Sequence, residues 1–319
     1  MSTTALKFAA ALYDRTLPLH TGAAKPEGFE LDFIPLENSG AGFPRMNNGE
    51  FDAAEYSIAE FVYRQCKGGC PFVGLPVFVS RGFRHHFILI NRKAGIRTPK
   101  DLEERRVGTP TFTIADAVWM RAVLQHEGGV DLSRLHWVAS TAGFNRPMLE
   151  MVRPPHIETD QSGKTLVELL EQGAIDALLA NGLPAALWTN PELGHLYPNP
   201  FELEREYYRR TRIFPILHMV VMRRELHERH PELARNFYRL LCQAKALGLR
   251  KMEGLGSLPY MLPFMAEQVA QFQSLFGGDP WPYGLENCRP TLEAFVRFMA
   301  EQGVIAAPRK IEEIFLPFD

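Results

Sequence analysis

Cysteine is scarce in this chain of 319 residues: there are four, Cys66, Cys70, Cys242 and Cys288. The first two stand as CKGGC, a CxxxC spacing that is neither the redox pair CxxC nor a usual zinc knuckle. No second close pair completes four zinc ligands. They read as reduced structural thiols. Net charge is also nearly absent, with 35 Lys+Arg against 37 Asp+Glu and a formal value of -2. A nucleic-acid binder needs a basic face for phosphates, so that class is excluded. Small anionic ligands need only local positive charge and are not. Long apolar runs are missing: nothing approaches the roughly 18 uncharged apolar residues of a membrane-spanning helix. At the N-terminus Lys7 sits inside the only apolar run, and Asp14 and Arg15 close it early. That pattern reads as a first strand rather than a signal peptide, and the expected localisation is cytoplasmic. Neither GxGxxG nor GxxxxGKS/T occurs, so nucleotide cofactors are not indicated. There is no fixed-period repeat and no low-complexity tract.

What is present is an ordinary globular composition, 46% hydrophobic and 23% charged. The length suggests about two domains. Up to about residue 95, short apolar runs alternate with helical patterns. LKFAAAL, FELDFIPL, AAEYSI, FVGLPVFVS and HHFILIN read as strands, PRMNNGEF and IAEFVYRQCKG as helices. This is the texture of an α/β domain with a largely parallel sheet. TPKDLEER carries a helix start, with Thr98 as N-cap and Pro99 at N1. RVGTP, HWVAS and the end of TLVELLEQGAIDALLA supply strands. DAVWMRAVLQHEGGV is a helix stopped by Gly128 and Gly129. A second α/β unit therefore spans about 95–212. FPILHMVVMRREL returns the chain to the first unit as a strong β run. HPELARNFYRLLCQAKALGLRK, LPFMAEQVAQFQSLF and TLEAFVRFMAEQGV follow as helices. The expected plan is a two-lobed clamp: residues 1–94 with 213–319 as lobe one, 95–212 as lobe two. Ligands of such clamps bind between the lobes, at the carboxyl ends of strands.

Several strings are more specific. YDRT (13–16), EFDAAEYS (50–57), GLPVFVSRGFRHH (74–86), YYRRTRIFPILHMVV (207–221) and DPWPYGLENCR (279–289) resemble those of 4,5-dihydroxyphthalate decarboxylases. That family is a cytoplasmic branch of the type II periplasmic-binding-protein fold, and the resemblance covers nearly the whole chain. It implies non-oxidative decarboxylation of a hydroxylated aromatic diacid without an organic cofactor. A divalent metal is left open, as is a homo-oligomer. The other reading is a non-catalytic solute-binding protein for an aromatic or anionic small molecule.

The chemistry defines what to look for. Loss of CO2 from an aromatic ring needs an acid to protonate the ring carbon, a group for the phenolic proton, and cations for carboxylates. His suits the first two roles and Arg, with its planar fork, the third. Arg15, after the first strand, is a candidate carboxylate anchor. Glu55 and Ser57 share a face of one strand, Glu55 as a buried acid or base or as a structural partner of an arginine. Arg81, Arg84, His85 and His86 concentrate positive charge in six residues. In a strand His85 and His86 point to opposite faces; the resemblance selects His85, leaving His86 as a strand-end histidine. His218 is the lone polar residue of its β run, and the resemblance includes it. His85 and His218 are the candidates for acid and phenol-handling roles, unassigned between them. Thr111 and Thr113 precede a helix, where hydroxyls and N–H groups suit an anion, and Asp116 fits that helix's first turn. Arg146 is a candidate second anchor and Asn181 a candidate partner for a ring hydroxyl. Trp281 and Tyr283 read as packing for their loop. His227, Glu228 and His230 read as a solvated helix face, not a metal site.

Overall fold

The computed structural model describes residues 4–142, 151–152, 154, 156–254, 256 and 258–318. Among the described residues eleven strands run in chain order: β1 (Ala5–Ala11), β2 (Glu30–Leu36), β3 (Ala53–Ser57), β4 (Phe72–Arg81), β5 (Ile88–Asn91) and β6 (Arg106–Gly108). They continue as β7 (His136–Ser140), β8 (Glu158–Asp160), β9 (Ala177–Leu179), β10 (Leu193–His195) and β11 (Ile216–Arg223). Two sheets result, ordered β2-β1-β3-β11-β4 and β10-β5-β9-β6-β7-β8. The chain separates into two compact units. One is Met1–Arg81, His218–Leu292 and Arg309–Asp319; the other is Gly82–Leu217 and Glu293–Pro308.

In the first unit β1 pairs parallel with β2 and β3, and β11 pairs antiparallel with β3. Alternation along β1 sends Leu6, Phe8 and Ala10 into the core, where Val77, Val79, Val220 and Met222 join them. The helix Pro231–Glu253 covers them with Leu233, Phe237, Leu240, Leu241 and Ala244. That spacing puts one stripe of the helix on the sheet. Phe237 meets Phe8 edge to face, with ring centroids 4.9 Å apart. Burying each such Leu, Val or Phe contributes about 1.5–3 kcal/mol. Gly248 lets the same helix approach the turn after β1. A Cβ there would stand 2.5 Å from the Asp14 carbonyl oxygen.

In the second unit β6 pairs parallel with β7 and β9, while β5 pairs antiparallel with β9 and β10. Leu89, Val138, Leu166, Leu170, Ile175 and Leu178 form its core. Trp119, on the helix Ala115–Ala122, stacks on Phe295 at 5.1 Å.

Several expectations need correcting. The units divide at Arg81/Gly82 rather than near 94, because β5 belongs to the second sheet. Residues 293–308 group with the second unit, since Phe295 and Phe298 pack on Trp119. HHFILIN opens with a 3₁₀ turn, His85–Phe87, before β5 begins. After Thr98 only a 3₁₀ turn forms, Pro99–Leu102, with the Asp101 carboxylate accepting from the Thr98 N–H. The last long helix starts at Leu285, not near Thr291, and runs through Pro290. Among the described residues no helix is long and apolar enough to cross a membrane.

Candidate functional site

The register of β3 and β11 sets His218 opposite Ser57 and Val220 opposite Glu55. His218 and Glu55 are therefore diagonal neighbours on one face of an antiparallel pair. The His218 Nδ1 lies 2.8 Å from Glu55 Oε1. Glu55 is fully buried and accepts two further bonds: from the Tyr13 hydroxyl at 2.8 Å and the Ala11 N–H at 3.0 Å. Burial by itself pushes this carboxyl up. The bond and charge of His218, with the Ala11 and Tyr13 donors, outweigh that and hold it below its usual range. An ionised Glu55 only accepts, so His218 donates from Nδ1 and its Nε2 is left to carry a transferable proton. The imidazole side chain keeps 19% exposure and meets Phe43 edge to face at 5.2 Å. Ser57 has a structural task beside it, accepting the Glu60 N–H at 3.4 Å as N-cap of the helix Ile58–Lys67.

Two candidate anchors stand at the end of β4. Arg15 donates from Nε to the Val79 carbonyl at 2.7 Å and from Nη1 to Asp14 at 2.9 Å. Its guanidinium lies between two rings, 4.1 Å from the Tyr13 centroid and 4.4 Å from that of Trp281. Arg81 is buried, and its Nη2 donates to Cys288 Sγ at 2.8 Å. Lys245 pairs with Asp279 and donates to the Trp281 carbonyl at 3.1 Å. Tyr13 thus links the two groups, through its hydroxyl to Glu55 and through its ring to Arg15.

The remaining candidates fall in the second unit. Arg84 pairs with Asp116 at 3.3 Å and lies over the Phe87 ring at 4.4 Å. His85 is fully buried between Tyr197 and Tyr207, with ring centroids 5.7 and 5.1 Å away. Among the described residues neither of its ring nitrogens has a hydrogen-bond partner, and burial pushes it down to about 4. It is a neutral core group in this conformation. Glu204 Oε1 lies 3.8 Å from its Nδ1 but is bonded to His86, at 2.7 Å from Nδ1. The expectation that the two histidines take opposite faces of a strand gives way to a turn that buries one and ties the other to a helix. Thr113 is buried, its Oγ1 accepting from the Met151 N–H at 3.3 Å; Thr111 is half-buried in the same loop. Asn181 is exposed just beyond β9. Arg146 lies outside the described residues.

Sequence pattern does not mark Tyr13 or Lys245, and it marks Cys288 only as a structural thiol. Tyr13 opens the YDRT string and Cys288 closes DPWPYGLENC, but only the fold brings them to Glu55 and Arg81. Trp281 and Tyr283 are expected to pack their loop, and Trp281 does pack, though on a guanidinium. The cysteines are free thiols. Among the described residues no group of three or more His, Cys, Asp or Glu is gathered as a metal ion would need.

No protein-family model matches the chain. It is 28% identical over 324 residues to the 4,5-dihydroxyphthalate decarboxylase of Comamonas testosteroni, an alignment covering 99% of this chain and 98% of that protein. A second protein of that name, from Pseudomonas putida, is 27% identical over 209 residues, covering 64% of this chain and 81% of that protein. Among solved structures, the periplasmic aliphatic sulphonate binding protein SsuA from Escherichia coli superposes with a TM-score of 0.57 at 13% identity, over 100% of this chain and 94% of that one. A DszB mutant in complex with biphenyl-2-sulfinic acid gives 0.53 at 14% identity, over 99% and 97%. Identities this low speak to fold alone. The chain is thus similar, over nearly its whole length in one case, to proteins named 4,5-dihydroxyphthalate decarboxylase, and it has the two-domain α/β fold of the periplasmic binding proteins.

Proposed function

We propose that this protein is a carbon–carbon lyase that decarboxylates a hydroxylated aromatic diacid, 4,5-dihydroxyphthalate or a close analogue, giving protocatechuate and CO2 in the first case. The observation that carries the reading is the buried Glu55 bonded to a partly exposed His218. Its relatives named 4,5-dihydroxyphthalate decarboxylase supply the reaction class.

In this reading His218 begins as an imidazolium, stabilised at Nδ1 by the Glu55 carboxylate. It gives its Nε2 proton to the ring carbon bearing the departing carboxylate. A lone pair from the para hydroxyl enters the ring as that carbon gains the proton. The C–C bond to the carboxylate then breaks, and its electron pair returns to the ring, restoring aromaticity as CO2 leaves. One proton is consumed per turnover, and neutral His218 regains it from water. No free aryl anion is formed. Arg15 and Arg81 hold the carboxylates, which suits the fork of a guanidinium. The scheme uses no organic cofactor. The four free thiols fit a cytoplasmic setting.

The test is to incubate purified protein with 4,5-dihydroxyphthalate in D2O. The expected result is stoichiometric CO2 and a product carrying one deuterium at the vacated ring position. Binding of the diacid without CO2 would overturn the enzymatic reading and leave a solute-binding protein.

A further inference from the structure

The strand β4 ends at Arg81, and three groups converge on its last residues. Trp281 donates its indole N–H to the Phe78 carbonyl at 2.9 Å. The Arg15 Nε donates to the Val79 carbonyl at 2.7 Å. The Arg81 guanidinium meets Cys288 Sγ at 2.8 Å, and that thiol passes its own hydrogen to the Pro282 carbonyl at 3.3 Å. Trp281, Pro282 and Cys288 belong to one segment, Asp279–Cys288. Its base is fixed: Asp279 accepts from the Trp281 N–H at 2.8 Å and pairs with Lys245 on the long helix Pro231–Glu253. The Lys245 ammonium also lies 4.8 Å from the Tyr283 ring centroid. Tyr283 is buried, and Arg15 bonds the Val79 carbonyl two residues before Arg81 on the same strand, so both guanidinium groups stand at the end of β4.

An arginine side chain is rotamer-rich, and its selectivity for a planar carboxylate pair depends on holding its fork in one orientation. Here each fork is held by a different chemistry. A flat indole 4.4 Å from the Arg15 carbon sets the plane of that guanidinium. A thiol with its own proton committed elsewhere offers Arg81 a lone pair in a fixed direction.

We propose that Asp279–Cys288 is the positioning element for the two carboxylate anchors: Trp281 orients Arg15, Cys288 orients Arg81, and the pair so fixed selects a vicinal aromatic diacid over a monoacid. The inference rests on the reading of Arg15 and Arg81 as anchors. Trp281 and Cys288 act through the arginines and touch no reacting atom.

Calorimetric binding of phthalate and of benzoate tests it without turnover. Wild-type protein is expected to prefer phthalate. Trp281→Ala and Cys288→Ala should each weaken phthalate by about tenfold while changing benzoate little. Trp281→Phe and Cys288→Ser should recover most of the preference, since a ring and a hydroxyl replace the stack and the acceptor. With the reacting substrate, the Ala variants should raise KM with little change in kcat or in its pH profile. Thermal melts check folding, and the Phe and Ser variants keep the test open should an Ala variant not fold. Retained phthalate preference in folded Ala variants, or none in the wild type, overturns the proposal. Lost preference in a protein that never releases CO2 would uphold it and sink the decarboxylase reading instead.

Discussion

His218 reaches Glu55 diagonally across the β3–β11 pair, Nδ1 to Oε1 at 2.8 Å, joining residues 163 apart in sequence. A buried carboxylate that fixes one imidazole nitrogen leaves the other to do chemistry. Replacing His218 with Ala should therefore lower turnover about a hundredfold or more, the usual range for a lost acid–base group. Glu55→Gln should lower kcat less, because the amide can still accept from Nδ1 without stabilising the imidazolium. Single-turnover rates with the diacid measure both. Near-normal turnover in folded His218→Ala would remove it from the mechanism.

Glu55 should also mark the acid limb of stability. Its folded carboxyl titrates below its unfolded value, so its contribution is complete above the ordinary carboxylate range, about pH 4.3. It is lost as pH falls through the depressed folded value. Glu55→Gln should flatten the stability curve below about pH 4.3. Urea titrations at successive pH values give the slope.

His85 contributes in a different window. It titrates near 6.5 when unfolded and is pushed by burial to about 4 when folded. Between those values the unfolded chain binds more protons, so its stabilising effect is full above pH 6.5 and fades as pH falls toward 4. The difference amounts to about 3 kcal/mol at most. His85→Phe, which suits a site between two tyrosine rings, should be less sensitive to acid in this range. Equal pH dependence in variant and wild type would count against a neutral buried His85.

Arg121 is fully buried in the second unit, with Nε bonded to Gln302 at 2.9 Å and its face 3.7 Å from the Phe112 ring centroid. Among the described residues its two terminal nitrogens have no hydrogen bond. Burying a charge without a carboxylate is costly. Arg121→Met should leave stability unchanged or raise it by about 1 kcal/mol. A marked loss of stability, read from the denaturation midpoint, would mean the guanidinium has a structural role beyond Gln302 and Phe112.

Gly248 offers a check on the turn that carries Arg15. In most helix interiors Gly to Ala stabilises by about 0.5–1 kcal/mol. Here the added Cβ meets backbone: the Asp14 oxygen at 2.5 Å and carbon at 2.9 Å, then the Arg15 nitrogen at 3.3 Å. Gly248→Ala should reverse the sign, destabilising the fold and weakening phthalate binding severalfold. Calorimetry on the variant decides it.

Much of this was legible in the sequence for a physical reason. Period-two alternation marks β1, β2 and β3, and one histidine in the apolar run FPILHMVV stands out because nothing else there is polar. Glu55 stands out likewise between Ala54 and Tyr56. The partners were not legible. Tyr13 to Glu55, and Arg81 to Cys288, are contacts 42 and 207 residues apart, which no local pattern encodes. The histidine pair misled for another reason. Strand propensity in HHFILIN predicts alternating faces, but a 3₁₀ turn at His85–Phe87 precedes the strand and the ring of His85 enters the aromatic core.

Strand β11 enters between β3 and β4, yet the ribosome delivers it only after residues 82–215, the larger part of the second unit, have been made. A nascent chain ending near residue 215 would therefore hold β3 and β4 with two adjacent edges bare, the template for wrong pairing or association. The strand that seals that gap is the one bearing His218. Acquiring the imidazole and completing the sheet are consequently a single late event in biogenesis. Truncated products made before that point should be both inert and the most prone to chaperone capture.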